Sequence, residues 1–151
     1  MKQILFLLLI LFLSFPMWAQ ERPLNTGLSN EEQYAFIGMM IDEVIEKYGP
    51  PRSVAAARGV DLWQDDVVFR YTGIDFYIYI DRVWQVKFST THNVSINDKK
   101  AEVLLTLGET AEDKEDHVLF SIEGLNWPLM LRINFNENEN AVSIFLYRSD
   151  Y

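Results

Sequence analysis

"GMMIDEVIEKYGPP", Gly38–Pro51, and "NDKKAEVLLTLGET", Asn97–Thr110, share their punctuation: a Glu-Val pair, then a glycine five residues after the valine. Glu43-Val44 precedes Glu102-Val103 by 59 residues, and Gly49 precedes Gly108 by the same 59. In the first stretch Ile41, Val44, Ile45 and Tyr48 stand at i, i+3, i+4 and i+7, which puts an apolar stripe along one side of a helix. Asp42, Glu43, Glu46 and Lys47 take the wet side. Gly49 is a left-handed cap, and Pro50-Pro51 forbid continuation. Upstream, Ser29 or Asn30 can cap a short helix over Asn30–Ile37, with Glu31-Glu32 at its positive end and a break at Gly38.

Downstream, Arg52–Gln64 reads as a loop, and "VAAARG" (Val54–Gly59) as a small-residue connector crossing the sheet edge. The apolar period then becomes two. Val67–Tyr71, Phe76–Ile80 and Val83–Phe88 are expected strands, turned at Thr72–Asp75 and at Asp81-Arg82. "VVFRYTGIDFYIYI" from Val67 lies over "VLFSIEGLNWPLML" from Val118 at an offset of 51, and Val83–Phe88 lies over Val142–Tyr147 at 59. This alignment recovers the eight-residue difference in the hairpin "NFNENENA". Length changes confined to loops are what a structural duplication produces. The expected fold class is α+β: two tandem repeats, about 30–89 and about 95–149, each of helices followed by a three-stranded antiparallel meander. Together they would make one curved six-stranded sheet with helices on one face.

Lys2, the apolar run Ile4–Phe15 and Pro16-Met17-Trp18-Ala19 have the layout of a secretory signal peptide, with cleavage expected after Ala19. The run falls short of the roughly 20 apolar residues that span a bilayer. Residues 20–151 then form a single domain. It has no cysteine, so an exported chain of this composition rests on its core rather than on disulfides. The formal charge is −9, and −10 once Lys2 is removed. That balance argues against nucleic acid and anionic membrane surfaces as partners. The expected location is periplasmic or secreted, with no stable membrane insertion after cleavage.

Gly38-Met39, Val44 six residues after the glycine, Tyr48-Gly49 and Pro51 resemble the "GM-four residues-V-three residues-LG-x-P" signature of the SmpA/OmlA family of outer-membrane assembly lipoproteins. The resemblance runs over Asn30–Phe88 and, in weaker form, over Ser95–Tyr147. In the second stretch Asn97 stands where Gly38 does, and no proline follows Gly108. The tandem arrangement is similar to the β-lactamase inhibitory proteins, which are built from two helix-plus-sheet repeats. The resemblance implies that fold, and it offers inhibition of a secreted or periplasmic enzyme as an alternative function. Its glycines and valine are structural, so they carry no chemistry. With no cysteine, the lipid anchor of the SmpA/OmlA proteins has no attachment point.

Strand alternation sorts the side chains. Phe69, Tyr71, Phe76, Ile78, Ile80, Trp84, Val86 and Phe88, with Phe120, Ile122, Trp127, Leu129, Leu131, Phe145 and Tyr147, are assigned to the core under the helices. Val68, Leu119, Ser121, Ile144 and Leu146 fall on the opposite face. So do the candidate partner-binding residues Arg70, Tyr77, Tyr79, Gln85, Lys87, Met130 and Arg132. Tyr, Met and Arg are what interface cores enrich. A protein or peptide partner is therefore expected on the open face, with self-association (a homo-oligomer) as the other use of such a surface. A one-residue slip in any strand would exchange its faces.

Nothing in the sequence supplies a reaction, and the reading is of a non-enzyme. His92, in "STTHNVS", and His117, in "KEDHV", lack metal-ligand spacing and read as solvated. Asp65-Asp66, Glu112-Asp113 and Glu115-Asp116 read as solvated turns rather than a catalytic pair. "NFNENENA" lacks the ligand pattern of a calcium loop. No phosphate-binding or nucleophile motif is present, so no cofactor is expected. A hydrolase would need a cleft lined by His117 or Asp66.

Overall fold

The computed structural model describes residues 27–58, 65–108, 111–123 and 127–150. The leader expected over 1–19 lies outside them. Among the described residues three helices, α1 (Asn30–Tyr34), α2 (Ile41–Tyr48) and α3 (Lys100–Leu107), accompany ten strands. Eight strands form one antiparallel sheet in the order β1-β2-β3-β4-β10-β9-β8-β7. They are β1 (Ser53–Arg58), β2 (Asp65–Tyr71), β3 (Ile74–Tyr79), β4 (Arg82–Phe88), β7 (Ala111–Asp113), β8 (His117–Ile122), β9 (Leu129–Phe135) and β10 (Ala141–Arg148). The short hairpin β5 (Thr90–Thr91) and β6 (Val94–Ser95) pairs separately. The protein is thus a mostly-sheet α+β fold.

The sheet is two strands wider than expected. "VAAARG" does not cross the edge as a loop: Ser53–Arg58 is an edge strand, with Val54 opposite Phe69. Ala111–Asp113 forms the other edge, with Ala111 opposite Phe120, so Glu112-Asp113 is strand rather than turn. Asp65-Asp66 likewise opens β2. α1 stops at Tyr34, short of the expected Ile37, capped by Ser29, whose amide is accepted by Glu32 at 2.8 Å.

Phe36 lies edge-on to Phe76, ring centroids 5.1 Å apart, and Tyr48 of α2 packs edge-on against Phe36 at 5.6 Å. Val44 of α2 and Val103 of α3 are buried in the same cluster as Phe69, Phe76, Val86, Leu131, Ile144 and Leu146. Gly38 adopts φ +89°, where a side chain is strained, and its amide donates to Val83 O at 2.7 Å.

Several core assignments need correction. β10 shows the opposite face from the one expected: Ile144 and Leu146 are fully buried, while Phe145 and Tyr147 face away from that core. The cause is a bulge between Ala141 and Ser143, which leaves Val142 without a partner and shifts the following pleat by one. A bulge in β4 lies between Val83, opposite Ile78, and Gln85, opposite Tyr77. It turns Trp84 to the open side. Ile80 is 83% exposed at a turn with φ +59°, outside β3 and the core. Trp127 is 42% exposed, with the Arg148 guanidinium over its ring at 4.0 Å.

Candidate docking face

Antiparallel pairing places directly opposed residues on the same face. On the side away from the main core, one row crosses all eight strands: Ser53, Arg70, Asp75, Lys87, Phe145, Arg132, Leu119 and Glu112. The next row runs Ala55, Val68, Tyr77, Gln85, Tyr147, Met130 and Ser121. Six of the seven sequence-derived docking residues stand in these two rows. Arg70, Lys87 and Arg132 share the first; Tyr77, Gln85 and Met130 share the second. Tyr79 lies further along, opposite Arg82.

The face has a second small apolar layer. Val68 is only 3% exposed although it sits on this side. Tyr77 meets Phe145 edge-on with ring centroids 6.0 Å apart, and the Lys87 ammonium lies 5.9 Å from the Phe145 ring centre. Ser121 Oγ donates to Met130 Sδ at 3.2 Å. Arg132 Nε donates to Asn134 Oδ1 at 2.8 Å, and Asn134 Nδ2 donates to Ser143 Oγ at 2.8 Å. Such partners fix side chains whose rotamer freedom would otherwise be lost on contact.

Its carboxylates are perturbed. Burial pushes the Asp66 carboxyl above the usual range, opposed by the Trp84 indole N–H, which donates to Asp66 Oδ1 at 3.0 Å. Burial also raises Asp75, while the charges of Lys87 and Arg70 pull it down. The Tyr77 phenol is raised, first by burial and then by Asp75. Asp66 is therefore not the solvated turn residue that the sequence suggested. Trp84, Phe145 and Asp66 were missed as face residues. The first two depend on bulges that no local pattern announces, and Asp66 depends on how early β2 begins.

His92 is a further correction. It is half-buried, tilted against Tyr34 and edge-on to Phe120, with centroids 5.5 Å and 6.2 Å away. Tyr34 Oη lies 2.5 Å from Nε2 and Thr91 Oγ1 lies 2.8 Å from Nδ1. Thr91 gives its single hydroxyl proton to Gln33 Oε1, so it must accept from the ring. His92 is therefore the Nδ1–H tautomer, with Tyr34 donating to Nε2. Gln33 Nε2 closes the chain on Leu28 O at 3.3 Å. Burial lowers the His92 pKa, against a weaker opposing pull from Glu31. This network ties α1 to the β5–β6 hairpin. His117 instead bonds Asp116 Oδ1 at 2.5 Å through Nδ1, on a different strand. Among the described residues no group of three His, Asp or Glu side chains is disposed to hold a metal ion. No described helix is long and apolar enough to cross a membrane.

No known protein-family model matches the chain, and no curated protein matches it. Among solved structures the chain is similar to an extracellular protein containing a SCP domain from Bacillus anthracis str. Ames. The identity is 11% and the TM-score 0.49, over 90% of this chain and 51% of that one. At that level the similarity assigns neither a family nor a function.

Proposed function

We propose that this chain is an exported, non-catalytic binding protein of the cell envelope, periplasmic or secreted, that docks a protein or peptide on the sheet face bearing Tyr77 and Lys87. The observation that carries the reading is the double row of aromatic, cationic and Met side chains over a nearly buried Val68. Such a face offers a large contact area with polar handles.

The same proposal includes a duplicated architecture with the helices on one side of the sheet. Matched main-chain bonds support it. Gly38 and Asn97 donate to Val83 O and Ala141 O; Val83 and Ala141 donate to Met39 O and Asp98 O; Ile41 and Lys100 donate to Asp81 O and Glu139 O. Left-handed backbone recurs at Gly38 and Asn97, and at Gly49 and Gly108. On this matching the bulges at Trp84 and Val142 coincide, and the last strand is offset by 58 rather than 59 residues. The added length falls in the hairpin between β8 and β9.

The test is capture from an envelope extract by immobilised residues 20–151, with a Tyr77→Ala/Tyr79→Ala variant beside it. A stoichiometric partner held by the wild type and released by the variant is the expected result. A partner retained equally by both moves the site off this face, and catalytic turnover across a substrate panel refutes the non-catalytic reading.

A further inference from the structure

Arg70, Lys87 and Arg132 stand on alternate strands of one row, with Asp75 between the first two and Phe145 between the last two. Neighbouring strands are about 4.8 Å apart, so successive cations are about 10 Å apart. None of the three closes an ion pair within 4 Å among the described residues, whereas Glu112 at the end of the row is engaged by Lys114 at 3.0 Å. Three cations thus share the row with two carboxylates, the partly desolvated Asp75 and Glu112, and the Arg132 charge also acts on Asp116 beyond the row, in a chain whose formal charge is −9.

From this row, and resting on the docking reading above, we infer that the partner presents an acidic, extended peptide segment that crosses the strands, with carboxylates three residues apart. A polyproline II chain rises about 3.1 Å per residue with three residues per turn, so every third side chain returns to one side after about 9 Å. That repeat matches the cation spacing. A β-extended segment matches less well, because its same-side residues recur about every 7 Å. Between the charges, the intervening residues meet Phe145 and Tyr77, aromatic side chains of the kind that line grooves for such helices, with Met130 beside them. A long polyanion is disfavoured by the same charge distribution. It would overrun the row into the acidic remainder of the surface, within the screening length of about 10 Å.

The experiment is fluorescence anisotropy with a labelled peptide of Glu-Pro-Pro repeats, at low ionic strength. The comparison probes are a peptide of the same composition with consecutive glutamates, and an oligothymidylate of matching length. Binding of the spaced peptide, weakened about fivefold by Lys87→Gln and abolished by Arg70→Gln/Lys87→Gln/Arg132→Gln, is the expected result. These positions lie outside the main core, and a melting curve for each variant shows whether it is folded at the assay temperature, with Lys87→Gln carrying the test if the triple variant is not. The inference is overturned if the spaced peptide does not bind, or binds the triple variant as tightly as the wild type. It is also overturned if either comparison probe binds equally well. An envelope partner captured by the triple variant yet lost from Tyr77→Ala/Tyr79→Ala removes the acidic assignment and leaves the docking face standing. Indifference to both sets of substitutions removes the docking face itself.

Discussion

Acidification should weaken this fold through His92. The ring is neutral, half-buried and committed at both nitrogens, to Tyr34 and to Thr91. Burial holds its folded pKa below the ordinary 6.5. The unfolded chain therefore takes up a proton at a pH where the folded chain still refuses it. The stabilisation is complete above about pH 6.5 and is lost as the pH falls from there toward the folded value. One proton sets a ceiling of about 1.4 kcal/mol per pH unit. The ring keeps an exposed edge, and solvent screening reduces that ceiling to about half, so at most about 0.7 kcal/mol should disappear between about pH 6.5 and about pH 5.5. With a urea dependence of about 2 kcal/mol per molar, the midpoint should drop by at most about 0.4 M. Asp66 and Asp75, raised by burial, change stability in the opposite direction at lower pH, so the measurement must be differential. His92→Asn is the reference, because asparagine tolerates the φ of +52° at this position and its amide can still donate to Thr91. Loss of the Tyr34 partner displaces the whole variant curve by a pH-independent amount. The wild type should lose stability on acidification more steeply than the variant. Superimposable pH slopes from about pH 7.5 to about pH 5 would refute the neutral, buried assignment.

Phe36→Ala empties the centre of the Phe36–Phe76–Tyr48 cluster, and should cost about 3–5 kcal/mol in a urea titration. A cost below about 1 kcal/mol would place Phe36 outside the cooperative core. Ile80→Gly relieves a β-branched residue at φ +59° whose side chain is 83% exposed, and should stabilise by about 0.5–1 kcal/mol by the same assay. Destabilisation would mean that the isoleucine side chain makes contacts its exposure does not reveal. For Asp66 the carboxyl pKa is raised, so the folded state holds its proton longer and gains stability as the pH falls toward the unfolded value of about 3.9. Asp66→Asn, which keeps an acceptor for Trp84, should remove that acid-side gain and raise neutral-pH stability by a similar amount. An identical gain in the variant would assign it to Asp75 or another carboxyl.

How far the fold was legible turns on parity. The strand alignment placed Phe120, Leu129 and Leu131 correctly in the core, although the duplication proposed above, read through the ladders, would set β8 and β9 at offsets of 49 and 57 residues where the alignment used 51. Both differences are even, and an even shift leaves a side chain on its own face. In the last strand the proposed offset is 58 where the alignment used 59, and the assignments there reversed: Ile144 and Leu146 are core, and Phe145 and Tyr147 are not. The bulge at Val142 has no sequence signature, since nothing in "AVSIFLY" distinguishes a skipped residue from a paired one. β1 was invisible for a different reason. Alanine has little strand preference, and Ser53–Arg58 becomes a strand only because β2 offers it an unpaired edge. His92 follows a similar logic. Local pattern marks "STTHNVS" as a linker, and only tertiary packing brings Gln33 and Tyr34 against it.

The docking face shows which part of a site alternation can encode. That Arg70, Tyr77, Lys87, Met130 and Arg132 point away from the core follows from period two within each strand, and sequence suffices for it. That Arg70, Lys87 and Arg132 stand in one line follows from the registers of four ladders, two of which contain bulges. Moving β10 by one residue against β4 would leave β4's own pleat untouched, yet set Ile144 or Leu146 opposite Lys87 in place of Phe145. Arg132, which reaches the row through β10, would then fall out of line with Lys87. The spacing from which an extended acidic ligand is inferred is thus a property of strand pairing, and the bulges that keep β4 and β10 in phase belong to the proposed binding surface as much as its cations do.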